Sequence, residues 1–395
     1  MSFHTFKFHP AVAAGVTAAG YTAPTPIQTQ AIPSVMAGKD VMGLAQTGTG
    51  KTAAFVLPIL HRLIEGKRGT TRALIVAPTR ELAEQIHEAI TIMGKKTGLR
   101  SIAIYGGVAI GPQIKFACKA DIIVACPGRL LDHIGRKTVR LSNLEVLVLD
   151  EADHMFDMGF LPDIRRILKQ IPAKRQTLLF SATMPPEIRS LAGESLSNPV
   201  TVQVGIAAPA ETVSHALYPV AQHQKTPLLL KLLQQTRTDS ILVFTRTKHR
   251  AKRLGEQLSR AGYRTASLQG NLSQNRRQDA INGFRDGTYQ ILVATDIAAR
   301  GIDIANVSHV INYDIPNTAD AYIHRIGRTG RAAHTGDAFT MITEDDTQMV
   351  RAIDRVIGSK VERQILPDFN YEAPGAKTEP PLRSARQRPT KKRIR

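Results

Sequence analysis

Short apolar runs alternate with longer stretches of helical pattern through the first half of the chain. These runs are rich in β-branched residues and lie at residues 41–44, 72–77, 101–105, 121–125, 145–150 and 177–181. Between two of them, apolar residues recur three or four positions apart at Leu82, Ile86, Ile90 and Met93, which predicts the buried face of a helix. Alternating strands and helices over this length predict an α/β fold with a parallel, doubly wound sheet.

The second half repeats this architecture with its own apolar runs. They lie at residues 240–244, 264–268, 290–294, 307–311 and 337–342. Small residues and proline dominate around 205–210, which is typical of an interdomain linker. We therefore predict a first domain over 1–204, a linker over 205–212 and a second domain over 213–366. The remaining segment, 367–395, combines basic residues with prolines and is predicted to be a disordered tail.

A glycine-rich turn follows the first apolar run and precedes a helical pattern. Its residues are Gln46, Thr47, Gly48, Thr49, Gly50, Lys51 and Thr52. Such a turn points backbone N–H groups inward, where they can hold the phosphates of a nucleotide. Lys51 then reaches the terminal phosphates, and the Thr52 hydroxyl can bind Mg²⁺. Because the general pattern has Gly at the position of Ala45, an ordinary glycine-rich turn is the alternative for this segment alone.

An acidic motif closes the apolar run at 145–150. Its carboxylates, from Asp150, Glu151 and Asp153, emerge at the carboxyl end of a predicted strand, where open α/β sheets bind their ligands. Asp150 is placed to hold Mg²⁺ through water, and Glu151 to orient and deprotonate an attacking water. A solvated acidic turn is the alternative for this motif alone. The order of the two motifs, with a strand before each, predicts hydrolysis of a nucleoside triphosphate.

The second half has no glycine-rich phosphate loop, but it carries a cluster of arginines. Arg328 and Arg331 lie three positions apart, so in a helical turn both would project from one face toward a γ-phosphate. Upstream, a segment after a predicted strand ends in Asp303, whose carboxylate suits a ribose hydroxyl. A structural or nucleic-acid-binding cluster is the alternative for the arginines. Together these features predict a nucleotide bound in the cleft between the two halves.

Composition limits what the chain can bind. Its net charge of +19 at pH 7 predicts a polyanionic partner, with nucleic acid favoured over a basic surface that serves solubility alone. No run of eighteen apolar residues occurs, so no membrane span is expected. The first residues lack the apolar core of a signal peptide, which predicts a cytoplasmic protein. Cys118 and Cys126 have no metal-binding spacing and are predicted to be unreactive thiols.

With these motifs the chain resembles the DEAD-box family of ATP-dependent RNA helicases, over roughly residues 1–365. The resemblance implies two tandem RecA-like domains, and Ala45 is itself a feature of this family. Residues 20–28 resemble the family's adenine-recognition segment. The resemblance implies an adenine site formed by Phe3, Tyr21, Thr25 and Gln28. The amide of Gln28 both donates and accepts hydrogen bonds, which suits the adenine edge.

Further segments resemble the family's RNA contacts and interdomain elements. By this resemblance RNA is bound by Pro78, Thr79, Arg80, Gly106, Gly107, Pro127, Gly128, Arg129, Thr245, Arg277 and Thr295. The resemblance also implies that Asp153, Ser181 and Thr183 couple hydrolysis to unwinding, with His324 approaching from the second domain. Cys126 stands where the family has Thr, and since a thiol is a poor donor, one phosphate or capping contact is expected to be weaker. The short N-terminus and basic tail most resemble the bacterial RhlE-type subgroup.

The predicted function is that of an ATP-dependent RNA helicase that uses Mg²⁺ and separates short duplexes or remodels RNA–protein complexes. Catalysis is assigned to Lys51, Asp150, Glu151, His324, Arg328 and Arg331. Because aromatic residues make up only 5% of the chain and Trp is absent, RNA would be held by its phosphates and 2′-OH groups regardless of sequence. An RNA clamp with incidental ATP turnover and a DNA helicase remain as alternatives. Ribosomal particles and the RNA-decay machinery are candidate partners, and a monomer is expected.

Overall fold

The computed structural model describes residues 2–46, 48–204, 213–236, 240–299, 307–329 and 336–373. The predicted linker at 205–212 and the predicted site residues Thr47, Asp303 and Arg331 lie outside these ranges. Within them the chain forms two seven-stranded sheets with flanking helices. The α/β fold class with two doubly wound parallel sheets is therefore confirmed.

The first sheet is built from strands β1 to β7. Their bounds are Val41–Leu44, Ala73–Val76, Ser101–Ile104, Ile122–Ala125, Val146–Leu149, Gln176–Ser181 and Val200–Gln203. The strands run parallel in the order β3-β4-β2-β5-β6-β1-β7. The six predicted strands are confirmed, and β7 is an additional edge strand. Only Val202 of β7 is buried, so this strand has no continuous apolar run by which the sequence could reveal it.

Helices cover both faces of this sheet. Helices α1 to α9 are Pro10–Ala18, Pro26–Met36, Lys51–Leu63, Arg80–Met93, Ile110–Ala117, Pro127–Gly135, Ala152–Asp157, Leu161–Leu168 and Pro186–Ser195, and a 3-10 helix covers Phe3–Phe6. The predicted apolar face of α4 is buried, as expected. On β5, Val146 and Val148 pack into one core cluster and Leu147 and Leu149 into another. A strand buried on both faces in this way must be apolar at every position.

The second sheet is built from strands β8 to β14. Their bounds are Val213–Pro219, Ile241–Phe244, Thr265–Leu268, Ile291–Ala294, His309–Asn312, Gly336–Ile342 and Glu362–Arg363. All pairs are parallel, in the order β10-β11-β9-β12-β13-β8-β14. The five predicted strands are confirmed, although β12 begins two residues later than predicted. Strands β8 and β14 are additional, and β14 has two exposed residues that carry no strand signal.

Helices α10 to α15 flank the second sheet. They are Lys225–Gln235, Lys248–Arg260, Gln274–Arg285, Asp296–Ala299, Ala319–Ile326 and Thr347–Ile357, with 3-10 helices at Gln222–Gln224 and Glu344–Asp346. Over the part of the chain that the structure describes, no helix has both the length and the apolar character needed to cross a membrane.

The start of the predicted tail packs onto the second domain. Phe369 and Tyr371 lie against its core with their ring centroids 4.8 Å apart, and Leu366 N donates to the Tyr371 hydroxyl at 3.0 Å. The prediction of a disordered tail over 367–395 is therefore wrong for residues 367–373. Two aromatic rings supply the apolar area that the basic remainder lacks. Residues 374–395 lie outside the described ranges.

Candidate active site and nucleic-acid interface

Three neighbouring strands of the first sheet end at the candidate site. Strands β5, β6 and β1 are adjacent, and their carboxyl ends lead into the acidic motif, Ser181 and the glycine-rich turn. Ala45 N donates to Ser181 O at 3.0 Å, which joins the last two of these segments. Because parallel strands bring their carboxyl ends to one edge of a sheet, segments far apart in sequence converge here.

Gly50 and Lys51 define the geometry of the glycine-rich turn. Gly50 precedes α3 with a φ of +94°, and a Cβ there would lie 2.5 Å from Gln28 Nε2 and 2.9 Å from Thr25 Oγ1. Both the positive φ and this close approach require glycine. Lys51 is buried, and its Nζ donates to Ala45 O at 2.9 Å. The cation therefore already lies against the turn that is suited to hold phosphates.

The other predicted residues of the turn lie beside them. Gly48 has a φ of +87°, and Thr49 Oγ1 donates to Gln46 O at 2.7 Å, which closes the turn. Thr52 is the second residue of α3. The N-terminus of this helix directs unpaired N–H groups and the positive end of the helix dipole toward the turn, and both favour a bound phosphate.

The predicted adenine-binding residues are also brought together. Gln28 is buried, its Oε1 accepts from Thr25 N at 2.9 Å, and its Nε2 donates to Gly50 O at 3.0 Å. An amide has two acceptor lone pairs and two N–H donors, so one of each remains for a ligand. The rings of Phe3 and Tyr21 stack, with centroids 5.9 Å apart and planes 21° apart. The Gln28 amide thus links the adenine region to the phosphate turn.

Asp150 and Glu151 are both almost completely buried at the end of β5. Glu151 adopts the left-handed conformation, with a φ of 51°, and its N–H donates to Asp150 Oδ1 at 3.0 Å. A non-glycine residue held there costs about 1–3 kcal/mol and is common at functional sites. Burial raises the pKa of Asp150 to about 6, although the nearby charge of Lys51 acts to lower it. Burial would also raise the pKa of Glu151. The opposing effects are larger and lower it: first the charge of His154 when protonated and its hydrogen bond, then the charges of Lys51 and Arg328.

Asp153 connects the acidic motif to the segment after β6. Its Oδ2 accepts hydrogen bonds from Ala182 N at 3.1 Å, from Thr183 N at 2.9 Å and from Thr183 Oγ1 at 3.1 Å. Asp153 N in turn donates to Ser181 Oγ at 3.2 Å. The three residues predicted to couple hydrolysis to unwinding therefore form one hydrogen-bonded network.

The second domain reaches this network through His324. Its Nε2 lies 3.9 Å from Asp153 Oδ2, and its Nδ1 lies 3.1 Å from His154 Nε2. Arg328 is 5% exposed and contributes positive charge at Glu151. Helix α14 ends at Ile326, so Arg328 lies in the turn that follows and not on a helical face as predicted. The chain leaves the helix at Gly327, before the arginine pair begins.

Most of the predicted RNA contacts line one cavity of about 360 Å³ between the domains. The predicted residues that line it are Pro78, Thr79, Arg80, Gly106, Gly128, Arg129 and Arg277. Arg277, on α12 of the second domain, forms an ion pair with Glu81 of α4 at 2.8 Å, and both side chains are nearly buried. The cavity is therefore bounded by a contact that joins the two domains. Gly270 and Leu272 also line it from the second domain.

The loop of 106–108 borders this cavity through Gly106. A Cβ on Gly107, whose φ is +81°, would lie 2.1 Å from Arg80 Nη1, so the guanidinium occupies the space that a side chain would fill. Arg129 donates from both terminal nitrogens to Val108 O at 3.2 Å and holds the same loop from α6. Pro127 is the first residue of α6. The loop of 106–108 is thus fixed by arginines on two helices.

Thr245 and Thr295 are predicted RNA contacts in the second domain. Thr245 is buried at the end of β9, and its Oγ1 donates to Thr247 O at 3.4 Å. Thr295 follows β11, and its carbonyl accepts from Ala298 N and Ala299 N at the start of α13. Neither lines the cavity. Their predicted RNA contacts stay predictions.

Both halves of the chain match known helicase domains. Residues 25–191 match the DEAD/DEAH box helicase family, and residues 224–333 match the helicase conserved C-terminal domain. The chain is 43% identical over 379 residues to the DEAD-box ATP-dependent RNA helicase CshA of Bacillus licheniformis. The aligned region covers 95% of this chain and 77% of that one. The chain belongs to the DEAD-box family of ATP-dependent RNA helicases.

This DEAD-box helicase is also similar to relatives in other organisms. It is 41% identical to the DEAD-box ATP-dependent RNA helicase RhpA of Helicobacter pylori, over 93% of this chain and 75% of that one. Its structure is similar to that of Saccharomyces cerevisiae Dbp5 bound to RNA and ADP BeF3. The TM-score is 0.83 at 32% identity, covering 92% of this chain and 95% of that one. The predicted family and enzyme class are confirmed, and the RhlE-type subgroup stays a prediction.

Sequence reasoning missed two residues that join the domains of this DEAD-box helicase. The sequence indicates no interdomain contact for Glu81, which follows Arg80, because its partner, Arg277, is 196 residues away. His154 follows the acidic motif directly and lies three residues after Glu151. That spacing on a helix is a signal that could have pointed to a contact between the two side chains.

Replacing Gln28 with Ala should lower the affinity for ATP and narrow the preference for ATP over GTP. An amide paired with a base edge is worth about 1–3 kcal/mol of discrimination, so the preference should fall by roughly ten- to hundredfold. Competition binding with ATP and GTP measures this ratio. Gln30→Ala, on the exposed side of α2, is the matched control and should leave it unchanged. Equal affinity of the parent for ATP and GTP would contradict the assignment.

Replacing Cys126 with Thr should stabilise the first domain. Cys126 is the residue before α6 and makes no side-chain capping bond, and burial leads the effects that raise the pKa of its thiol to about 12. A Thr hydroxyl there can accept from a backbone N–H of the first helical turn, worth about 1 kcal/mol in the free energy of unfolding. Urea unfolding followed by circular dichroism measures the change. Exposed Cys118→Thr is the control, and equal shifts in both variants would contradict the capping argument.

Proposed function

We propose that this DEAD-box helicase closes its two domains around ATP and one RNA strand, and that closure couples ATP hydrolysis to local strand separation. The observation that carries the proposal is a pair of contacts across the cleft. Glu81 meets Arg277 at the RNA cavity, and His154 meets His324 beside the catalytic carboxylates. One closing movement therefore assembles both sites.

Reciprocal binding follows from this arrangement. A ligand that contacts both domains stabilises the closed form, and any second ligand that also prefers that form then binds more tightly. ATP would stabilise closure through Lys51 in the first domain and Arg328 in the second. RNA would do so through the cavity that Arg80 and Arg277 share. The similar Dbp5 structure is one bound to RNA and ADP BeF3, which supports this reading.

Recognition of RNA should depend on its backbone. The cavity residues that we assign to RNA are arginines, glycines, a proline and a threonine, and the whole chain has no Trp. Such groups bind mainly phosphates and sugar hydroxyls, so binding should be largely independent of sequence and weaken with salt. Bending of one strand on closure, and not long translocation, is the expected mode of unwinding.

The nucleotide site also fits Mg²⁺. Thr52 offers a hydroxyl and Asp150 a carboxylate, and oxygen ligands of this kind, together with substrate phosphates, are what this ion prefers. Burial raises the pKa of Asp150, and a cation bound at this carboxylate would stabilise its charged form. When bound, Mg²⁺ would neutralise phosphate charge. Glu151 would orient the attacking water, and Arg328 with Arg331 would stabilise charge on the γ-phosphate.

The ATPase rate measured without nucleic acid, with RNA and with DNA tests this function. RNA should stimulate the rate strongly and DNA should not. Equal stimulation by DNA would favour a DNA helicase, and turnover indifferent to both would favour an RNA clamp with incidental hydrolysis. A displacement assay on a short RNA duplex, with ATP and without it, then separates unwinding from hydrolysis alone.

We further propose that the protein acts as a monomer in the cytoplasm, on ribosomal particles or with the RNA-decay machinery. Both sites are formed within one chain, which supports a monomer. Residues 374–395 of the predicted tail carry many basic and few acidic side chains, which supports a tethered contact with large RNA particles.

A further inference from the structure

His154 has no role in the mechanism described so far, yet it contacts the catalytic carboxylate. It is 3% exposed and lies on α7 three residues after Glu151, so the two side chains are neighbours on the helix surface. Its Nδ1 lies 2.9 Å from Glu151 Oε2. From its other edge, Nε2 lies 3.1 Å from His324 Nδ1, with the two rings edge to face at 4.9 Å. One imidazole thus spans the distance between the catalytic carboxylate and the second domain.

Hydrogen-bond chemistry restricts how these two rings can be protonated. A neutral imidazole has one N–H and one lone pair, and a carboxylate accepts only. From the network, we assign the N–H of His154 to Nδ1, facing Glu151. Its Nε2 then accepts from His324 Nδ1–H. If both rings carried two protons, two N–H groups would face each other at this contact and repel.

We infer that His154 is a positioning residue for ATP hydrolysis, which holds Glu151 Oε2 in place and is itself fixed by His324 when the domains close. The inference rests on the proposed closure of the two domains. In the closed form the ring has a partner at each nitrogen, so it cannot turn without losing one of them. Without His324, the ring keeps its hydrogen bond to Glu151 but loses the one at Nε2. The second domain thereby adds a partner to the ring that holds the carboxylate.

The environment of the two rings gives this contact a pH dependence. The charged groups that face the rings or their carboxylate partners are Lys51, Glu151, Asp153, Asp296, Arg325 and Arg328. Burial, followed by repulsion from His154 when that ring is protonated, lowers the pKa of His324 to about 4, although Asp153 opposes this. The separated domains therefore bind more protons than the closed ones between that value and the ordinary 6.5. Closure should weaken as the pH falls through this range.

Two substitutions at His154 separate its two contacts. In His154→Asn the amide nitrogen takes the place of Nδ1 and can still donate to Glu151, but it does not reach His324. At saturating RNA its kcat should stay within about threefold of the parent, while the RNA concentration for half-maximal stimulation rises about tenfold. In His154→Gln the amide takes the place of Nε2, so kcat should fall about tenfold with the half-maximal RNA concentration nearly unchanged. His154→Leu should show both losses.

Control measurements distinguish positioning from a general effect on folding. The KM for ATP should be unchanged in all three variants, because His154 is not among the residues assigned to the nucleotide. Glu81→Gln, which removes the charge from another contact across the cleft, should raise the half-maximal RNA concentration. Between pH 7 and about 5.5, RNA stimulation of the parent should weaken, and His154→Leu should weaken less over the same range.

Two results would overturn the inference. One is parental kcat and RNA dependence in His154→Leu, and the other is the same pattern of loss in the Asn and Gln variants. If RNA stimulates the parent enzyme, either of these results would overturn only the role of His154 and would leave the proposal of domain closure intact. If RNA does not stimulate the parent enzyme, both the role of His154 and the proposal of domain closure are overturned.

Discussion

Replacing Glu151 with Gln should lower the RNA-stimulated ATPase rate by about a hundred- to ten-thousandfold, which is the usual contribution of a general base. Gln has the same size and can occupy the left-handed backbone position, so ATP binding should persist. Because hydrolysis is blocked while closure is not, the closed complex should accumulate on RNA. Release of a labelled RNA in the presence of ATP should therefore slow greatly, which a stopped-flow chase measures.

The control for this variant is Glu88→Gln, an exposed acid on α4. It should leave both the ATPase rate and the release of RNA at parental values. RNA release from Glu151→Gln as fast as from the parent would remove the role we give to Glu151. A loss of ATP binding in that variant would instead show that the carboxylate stabilises the site and does not act on water.

Replacing Lys51 with Ala should reduce ATP turnover by about a hundred- to thousandfold, the typical effect of removing one group that stabilises charge in the transition state. Lys51 Nζ lies against the phosphate turn, where it donates to Ala45 O at 2.9 Å. Its removal takes away the cation for the terminal phosphates and leaves that carbonyl without this donor. RNA should still bind weakly through the basic surface. Turnover and RNA binding are measured in one buffer.

Lys67→Ala, an exposed lysine soon after α3, is the matched control because it removes the same charge outside the turn. Undiminished hydrolysis in Lys51→Ala would contradict the assignment of the turn to phosphates. The two variants also predict opposite behaviour on RNA. Lys51→Ala should hold RNA no more tightly with ATP than without it, whereas Glu151→Gln should hold it much longer with ATP.

Much of the fold could be read from the sequence because its strands are buried on both faces. A run such as 146–149 must be apolar at every position, and this leaves a clear pattern. Three strands were missed. Strands β7 and β14 lie at sheet edges and have exposed residues, so no such constraint acts on them. Strand β8 lies inside the second sheet, but its second and third residues are not buried, so its start has no continuous apolar run. The packing of Phe369 and Tyr371 was missed because two aromatic residues in a basic, proline-rich segment do not form a periodic pattern.

The sequence alone determined the phosphate turn and the acidic motif, because a turn and the end of a strand depend on residues close together in the chain. Only the tertiary structure decided what those residues touch. Gln28 meets Gly50 from 22 residues away, His154 meets His324 from 170 away, and Glu81 meets Arg277 from 196 away. No local pattern specifies such pairs. They exist because parallel sheets bring strand ends to one edge, and because two domains place those edges face to face.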